Sequence, residues 1–96
     1  MKEVFLVPSE NKDKAEAALR GDDLVGRQSI IVRSAPYLDI DEEGYFIIID
    51  GSEAAISRAH ELLDKLAKKY EHKDKVIKKV QEQEDAAIEG LGNILG

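Results

Sequence analysis

Tyr45-Phe46-Ile47-Ile48-Ile49-Asp50-Gly51-Ser52-Glu53 carries the strongest strand signal in the chain and the start of its clearest helix. Five consecutive aromatic and β-branched side chains suit a pleated, buried strand. Asp50-Gly51 ends it. Asp50 or Ser52 can cap the helix that follows, and with Asp50 as cap Glu53 takes the acidic position of a capping box. Ile56, Ala59, Leu63, Leu66 and Tyr70 recur every three or four residues, which predicts one apolar face on a helix from Ser52 to about Tyr70. The strand itself is apolar on both sides: Tyr45, Ile47 and Ile49 alternate with Phe46 and Ile48. A sheet with helices on one side would leave one of those sets bare. The C-terminal helix, a second protomer or a ligand must cover it.

Upstream, Glu3 to Val7 predicts a first strand, ended by Pro8. Ser9 can cap a helix to about Arg20, with Ala15, Ala18 and Leu19 as its stripe and Gly21 as its stop. Leu24 to Gln28 suggests a short strand with a bulge at Gly26, and Gln28 to Arg33 a firmer one. Ala35-Pro36 interrupts, Tyr37 to Asp41 resumes extension, and Asp41-Glu42-Glu43-Gly44 is a polar turn into Tyr45. Downstream, Lys73 falls where the helical stripe needs an apolar residue. A break near His72 is expected, with Asp74 capping a second helix to about Glu89 through Val76, Ile77, Val80, Ala87, Ile88 and Leu91.

The expected order is β-α-β-β-β-β-α-α, an α+β two-layer sandwich with an antiparallel sheet and its helices on one face. Residues 1–71 form the core and 72–96 a C-terminal helical extension of the same single domain. A chain of 96 residues supports one modest core. The absence of cysteine removes disulfides, thiol catalysis and cysteine-type zinc sites. No apolar run approaches the roughly 20 residues of a membrane span, and the first residues lack a signal-peptide pattern, so a cytoplasmic protein without membrane partners is expected. Charged residues make up 35% of the chain, rich in Lys and Glu, a composition that leans towards a thermophilic source.

This element order and size resemble a family of small uncharacterised archaeal proteins with the TATA-box-binding-protein-like fold. The resemblance implies the two-layer sandwich with an extra C-terminal helix and carries no functional residue with it. In the namesake of that fold the open sheet face receives DNA, using aromatic wedges and basic residues that this sheet lacks. The stretch from Ile47 to Ala59, I-x-I-x-G-S-x-x-A-I-x-x-A, also resembles the last strand and helix of a KH domain, although no GXXG clamp is present.

The charge pattern is the most informative functional signal. The chain has a net charge of −6, yet Lys65, Lys68, Lys69, Lys73, Lys75, Lys78 and Lys79 fall within fifteen residues. Arg58 lies one turn into the preceding helix and extends the set. A concentrated basic segment on an acidic protein suits an anion, and nucleic-acid phosphate is the commonest large polyanion. The first expectation is a non-catalytic module binding nucleic acid, DNA before RNA, through these residues. A lysine-rich, solvated helix face explains the same residues without a ligand. The alternative is a protein–protein or homodimer module using the stripe from Val76 to Leu91.

Other candidates carry less. Asp39, Asp41 and Glu43 with Gly44 echo the start of a calcium loop, but position twelve is Asp50 and both flanks are strand-like. His60 and His72 sit about three helical turns apart, too far to share a metal. No serine shows an elbow or triad signature, and Gly90, Gly92 and Gly96 follow no strand and form no dinucleotide fingerprint. No enzyme constellation and no cofactor is implied.

Overall fold

The structure, a computed structural model, describes the backbone of residues 1–95 and the side chains of residues 1–85. Its strands are β1 (Lys2–Val7), β2 (Ser29–Ser34), β3 (Tyr45–Asp50) and the two-residue β4 (Lys68–Lys69). Its helices are α1 (Lys12–Gly21), α2 (Glu53–Leu63) and α3 (Lys73–Leu95). All strand pairs are antiparallel, in the order β2-β3-β1-β4. Up to β4 the connectivity is two β-α-β units, each split by a strand of the other, the ferredoxin-like arrangement.

β3 occupies the centre because it is the strand that must be buried on both sides. Phe46, Ile47, Ile48 and Ile49 are all buried. Ile47 and Ile49 join Phe5, Val7, Leu19, Ile56 and Leu63 under α1 and α2. Phe46 and Ile48 join Val4, Leu38, Val76 and Val80 on the opposite face. The C-terminal helix is therefore the cover that the two-sided strand required.

The architecture is α+β with an antiparallel sheet, as expected, but the sheet has four strands where five were expected, and the arrangement departs in three ways. Helices lie on both faces rather than one, since Val76 and Val80 of α3 seal the far side. Two strands rather than four lie between α1 and α2. Val25–Arg27 is a 3-10 turn because the Asp22 carboxylate accepts the Leu24 and Val25 amides, each at 3.0 Å. Pro36–Leu38 is a second 3-10 turn, begun by proline and ended by Asp39 in the left-handed region at φ 57°. The third departure is the fourth strand, which comes after α2.

That strand shortens α2. The helix starts where expected, with Ser52 rather than Asp50 as its cap: Ser52 Oγ accepts the Ala55 amide at 3.2 Å. Asp50 instead lies 3.6 Å from the N-terminal ammonium. The helix stops at Leu63, not near Tyr70. Leu66 and Ala67 both turn back onto the Leu63 carbonyl, and Asn11 donates to the Leu66 carbonyl at 3.3 Å. The chain is then captured by the free edge of β1: Lys68 and Lys69 pair with Leu6 and Phe5, and the Tyr70 amide donates to Val4. Tyr70 thus leaves the α2 stripe for the other core, edge-on to Phe46 at 4.8 Å. Burial, and then the Glu42 carboxylate beside it, push its phenol above the usual range.

The turn into β3 is sterically tight. Gly44 has φ 103°, and a Cβ there would come within 2.3 Å of the Val7 carbonyl oxygen. Gly44→Ala is expected to cost about 2–4 kcal/mol, combining left-handed strain with the backbone clash. Urea unfolding measures it, and Gly21→Ala, with open space around its Cβ, is the comparison that should stay near wild type.

Candidate functional site

The lysine-rich segment does not lie on one helix face. It runs down one edge of the sheet and then turns onto α3. Lys65 sits in the turn after α2, and Lys68 and Lys69 are β4. Lys68 pairs with Leu6 at one end of β1, and Lys73 Nζ reaches the Lys2 carbonyl at the other, 3.3 Å away. Lys75, Lys78 and Lys79 continue on α3 away from the Val76 and Val80 side. Lys65, Lys68, Lys75 and Lys78 are exposed. Among the described residues none of these four, nor Lys73 or Lys79, has a carboxylate within 4.0 Å.

Two members of the sequence-derived set are already engaged. Arg58 on α2 donates to Asp22 at 2.9 Å and to Glu61 at 3.0 Å. It faces the turn after α1, where its charge is matched by two acids. The Val25 amide, with the Arg58 guanidinium second, holds the Asp22 carboxyl below the usual carboxylate range. Lys69 lies 3.8 Å from Glu3 Oε2, though its side chain stays 60% exposed.

Glu3 had no signal in the sequence. It is 6% exposed at the start of a strand, and His60 Nε2 lies 3.1 Å from its Oε2. His60 also stands edge-on to Phe5 at 4.9 Å. Glu3 Oε1 is buried without a partner among the described residues. A carboxylate buried in this way depends on the His60 ring nitrogen and the Lys69 ammonium beside it, so the cluster ties β1, α2 and β4 together rather than opening onto a cavity. Only its separation in sequence, 57 residues between Glu3 and His60, kept it from view.

A cleft of about 530 Å³ opens beside the upper end of the lysine edge. Leu6, Pro8 and Leu66 supply its apolar wall, with Glu43, Lys65 and Lys68 among its polar lining. Charges of both signs line it. The Asp39–Gly44 loop does not gather its acids: Ile40 between them is buried, and no group of three or more potential metal ligands occurs among the described residues. His60 and His72 are on different elements, His72 in the turn before α3 and beside Tyr70. No helix among the described residues is long and apolar enough to cross a membrane. Of the stripe expected to form an assembly seam, Val76 and Val80 are buried in the chain's own core; Ala87, Ile88 and Leu91 lie outside the described side chains.

No protein-family model, curated protein or solved structure matches the chain.

The Asp22–Arg58 pair gives a pH-dependent test of the assignment of Arg58. A carboxyl held down in the folded state stabilises it above the ordinary value of 3.8. That contribution disappears as pH falls through the folded-state value. Asp22→Asn keeps an oxygen for the Leu24 and Val25 amides and removes the charge. It is expected to be less stable than wild type at pH 7, with the gap closing as pH falls below the ordinary value of 3.8. Urea melts across that range report it.

Proposed function

We propose that the chain is a non-catalytic binding module for a polyanion, with the phosphate backbone of nucleic acid, DNA foremost, as the ligand. One observation carries this reading. Six lysines along a single sheet edge and the adjoining helix, Lys65, Lys68, Lys73, Lys75, Lys78 and Lys79, have no carboxylate within ion-pair distance among the described residues, on a chain whose net charge is −6. Their ammonium groups are point charges on flexible stems. They suit phosphate oxygens without reading bases, so the recognition is of charge and shape.

β4 has a second physical role that the same lysines fill. A two-residue lysine strand blunts the edge of the sheet against pairing with other chains. Edge protection accounts for Lys68 and Lys69. It does not account for Lys75 and Lys78, which stand on a helix where no edge needs guarding. The cleft beside Lys65 and Lys68 gives the bound polymer a recess at one end of the basic track. Arg58 takes no part in phosphate binding, since Asp22 and Glu61 neutralise it.

Fluorescence anisotropy with a mixed-sequence DNA duplex tests the proposal. Affinity is expected to fall steeply between about 50 and 200 mM salt. Replacing Lys65, Lys68, Lys75 and Lys78 together by alanine should weaken binding on every sequence alike. It should also flatten the salt slope by up to about 0.9 for each phosphate that the variant no longer neutralises. Arg58→Ala should leave the slope unchanged. Equal affinity for the wild type and the quadruple variant would refute the reading.

A further inference from the structure

The two edges of the sheet are built differently. β4 is two exposed lysines, whereas β2 is six residues long with Ile30, Ile31 and Val32 at its centre. The ladder defines which backbone groups of β2 are spare. The Ala35 amide donates to the Gly44 carbonyl at 3.0 Å, so residues 31, 33 and 35 turn their backbone groups towards β3. Those of Ile30, Val32 and Ser34 turn outward. The one partner they have among the described residues is the Arg33 guanidinium, which donates to the Val32 carbonyl at 2.8 Å.

Ile31 and Arg33 share the face of the sheet that carries α3, and so does Asp50, the β3 neighbour of Ser29. On that face a groove of about 120 Å³ lies between β2 and α3. Ile31, Ile48 and Ile77 form its floor, and Lys2, Asp50 and Glu84 stand on its rim, Asp50 3.6 Å from the chain's own N-terminal ammonium. Ile31 and Ile77 are only half-buried. An unguarded edge thus lies alongside a groove with an apolar floor and a charged rim, with an arginine further along the same strand.

We propose that β2 pairs with β2 of a second copy, antiparallel about a two-fold axis at Ile31, to make one continuous eight-stranded sheet. This register sets Ile31 against the partner's Ile31 and Ile30 against the partner's Val32. The spare backbone groups of Ile30 and Val32 then form a hydrogen-bonded pair. It also sets the partner's Arg33 against Ser29, two strand spacings, roughly 9.5 Å, from Asp50. A guanidinium swung off its own Val32 carbonyl spans that distance and meets Asp50 and Glu84 at the rim. The two-fold repeats each of these pairings, as an isologous interface must. The charge match argues for a second copy over a foreign strand: the chain itself supplies the arginine and, at the matching position, Glu84, which has no ion pair among the described residues, beside Asp50, whose partner is the half-exposed N-terminal ammonium. The interface leaves the lysine edge free and is independent of what that edge binds.

Sedimentation velocity over a concentration series, with amide hydrogen exchange on the same samples, tests the pairing. The expected result is a reversible dimer in which the Ile30 and Val32 amides gain about 100-fold protection as concentration rises. Arg33→Glu should be monomeric, with the melting curve that the wild type shows at concentrations too low for pairing. Val32→Pro should be monomeric as well, since it removes an outward amide that β3 does not use. A chain that stays monomeric at the highest concentration would overturn the proposal. So would a dimer with unprotected Ile30 and Val32 amides, or one that Arg33→Glu leaves intact.

Discussion

Burial of β3 on both faces is the constraint on which the other elements depend. A strand with Phe46 and Ile48 on one side and Ile47 and Ile49 on the other cannot leave either side in water. Each of these side chains contributes about 1.5–3 kcal/mol when fully buried. One face is served by α1 and α2, which the β-α-β crossovers deliver in the ordinary way. The other is served by α3, the last helix in the chain. The same constraint sets the position of β1, whose Val4 and Phe5 are likewise buried on opposite faces. With β3 and β1 at the centre, β2 and β4 are left as edges, and their contrasting chemistry follows.

The lysine segment is where fold and proposed function meet. The chain between α2 and α3 must cross from one face of the sheet to the other, and it does so along the edge of β1. It pauses there long enough to form β4. Lysine serves this passage well because it pairs through its backbone while keeping its ammonium in solvent. The same geometry lines the ammonium groups up along one side of the molecule. Glu3 and His60 fasten the start of that edge from inside, at 3.1 Å.

Periodicity revealed the regular elements and missed the tertiary ones. β1, β3, the start of α2 and the buried positions Ile56, Ala59 and Leu63 of α2 and Val76 and Val80 of α3 follow from local pattern. In each of the three errors another interaction overrides the strand or helix pattern, two of them with near neighbours and one with a distant strand. Leu24 to Gln28 has strand-forming residues, but the Asp22 carboxylate curls it into a turn. Tyr37 to Asp41 cannot extend, because Pro36 starts a 3-10 turn that closes onto Ala35 and Pro36. Leu66 and Tyr70 continue the α2 stripe by spacing, yet the unpaired edge of β1 takes the chain first. The site shows the same division. Seven clustered lysines are visible in the sequence, whereas the neutralisation of Arg58 by Asp22, 36 residues away, is not.

The central claim is that α3 is an integral layer of the fold and not an appendage. Denaturant unfolding of Val76→Asp, beside Lys75→Asp as the exposed neighbour, tests it most directly. Val76 is fully buried against the face formed by Val4, Phe46 and Ile48, so the aspartate is expected to cost more than about 3 kcal/mol or abolish folding. Lys75→Asp should stay within about 1 kcal/mol of wild type. Equal stability of the two variants would show that the second face of the sheet does not need its helix, and would contradict the account.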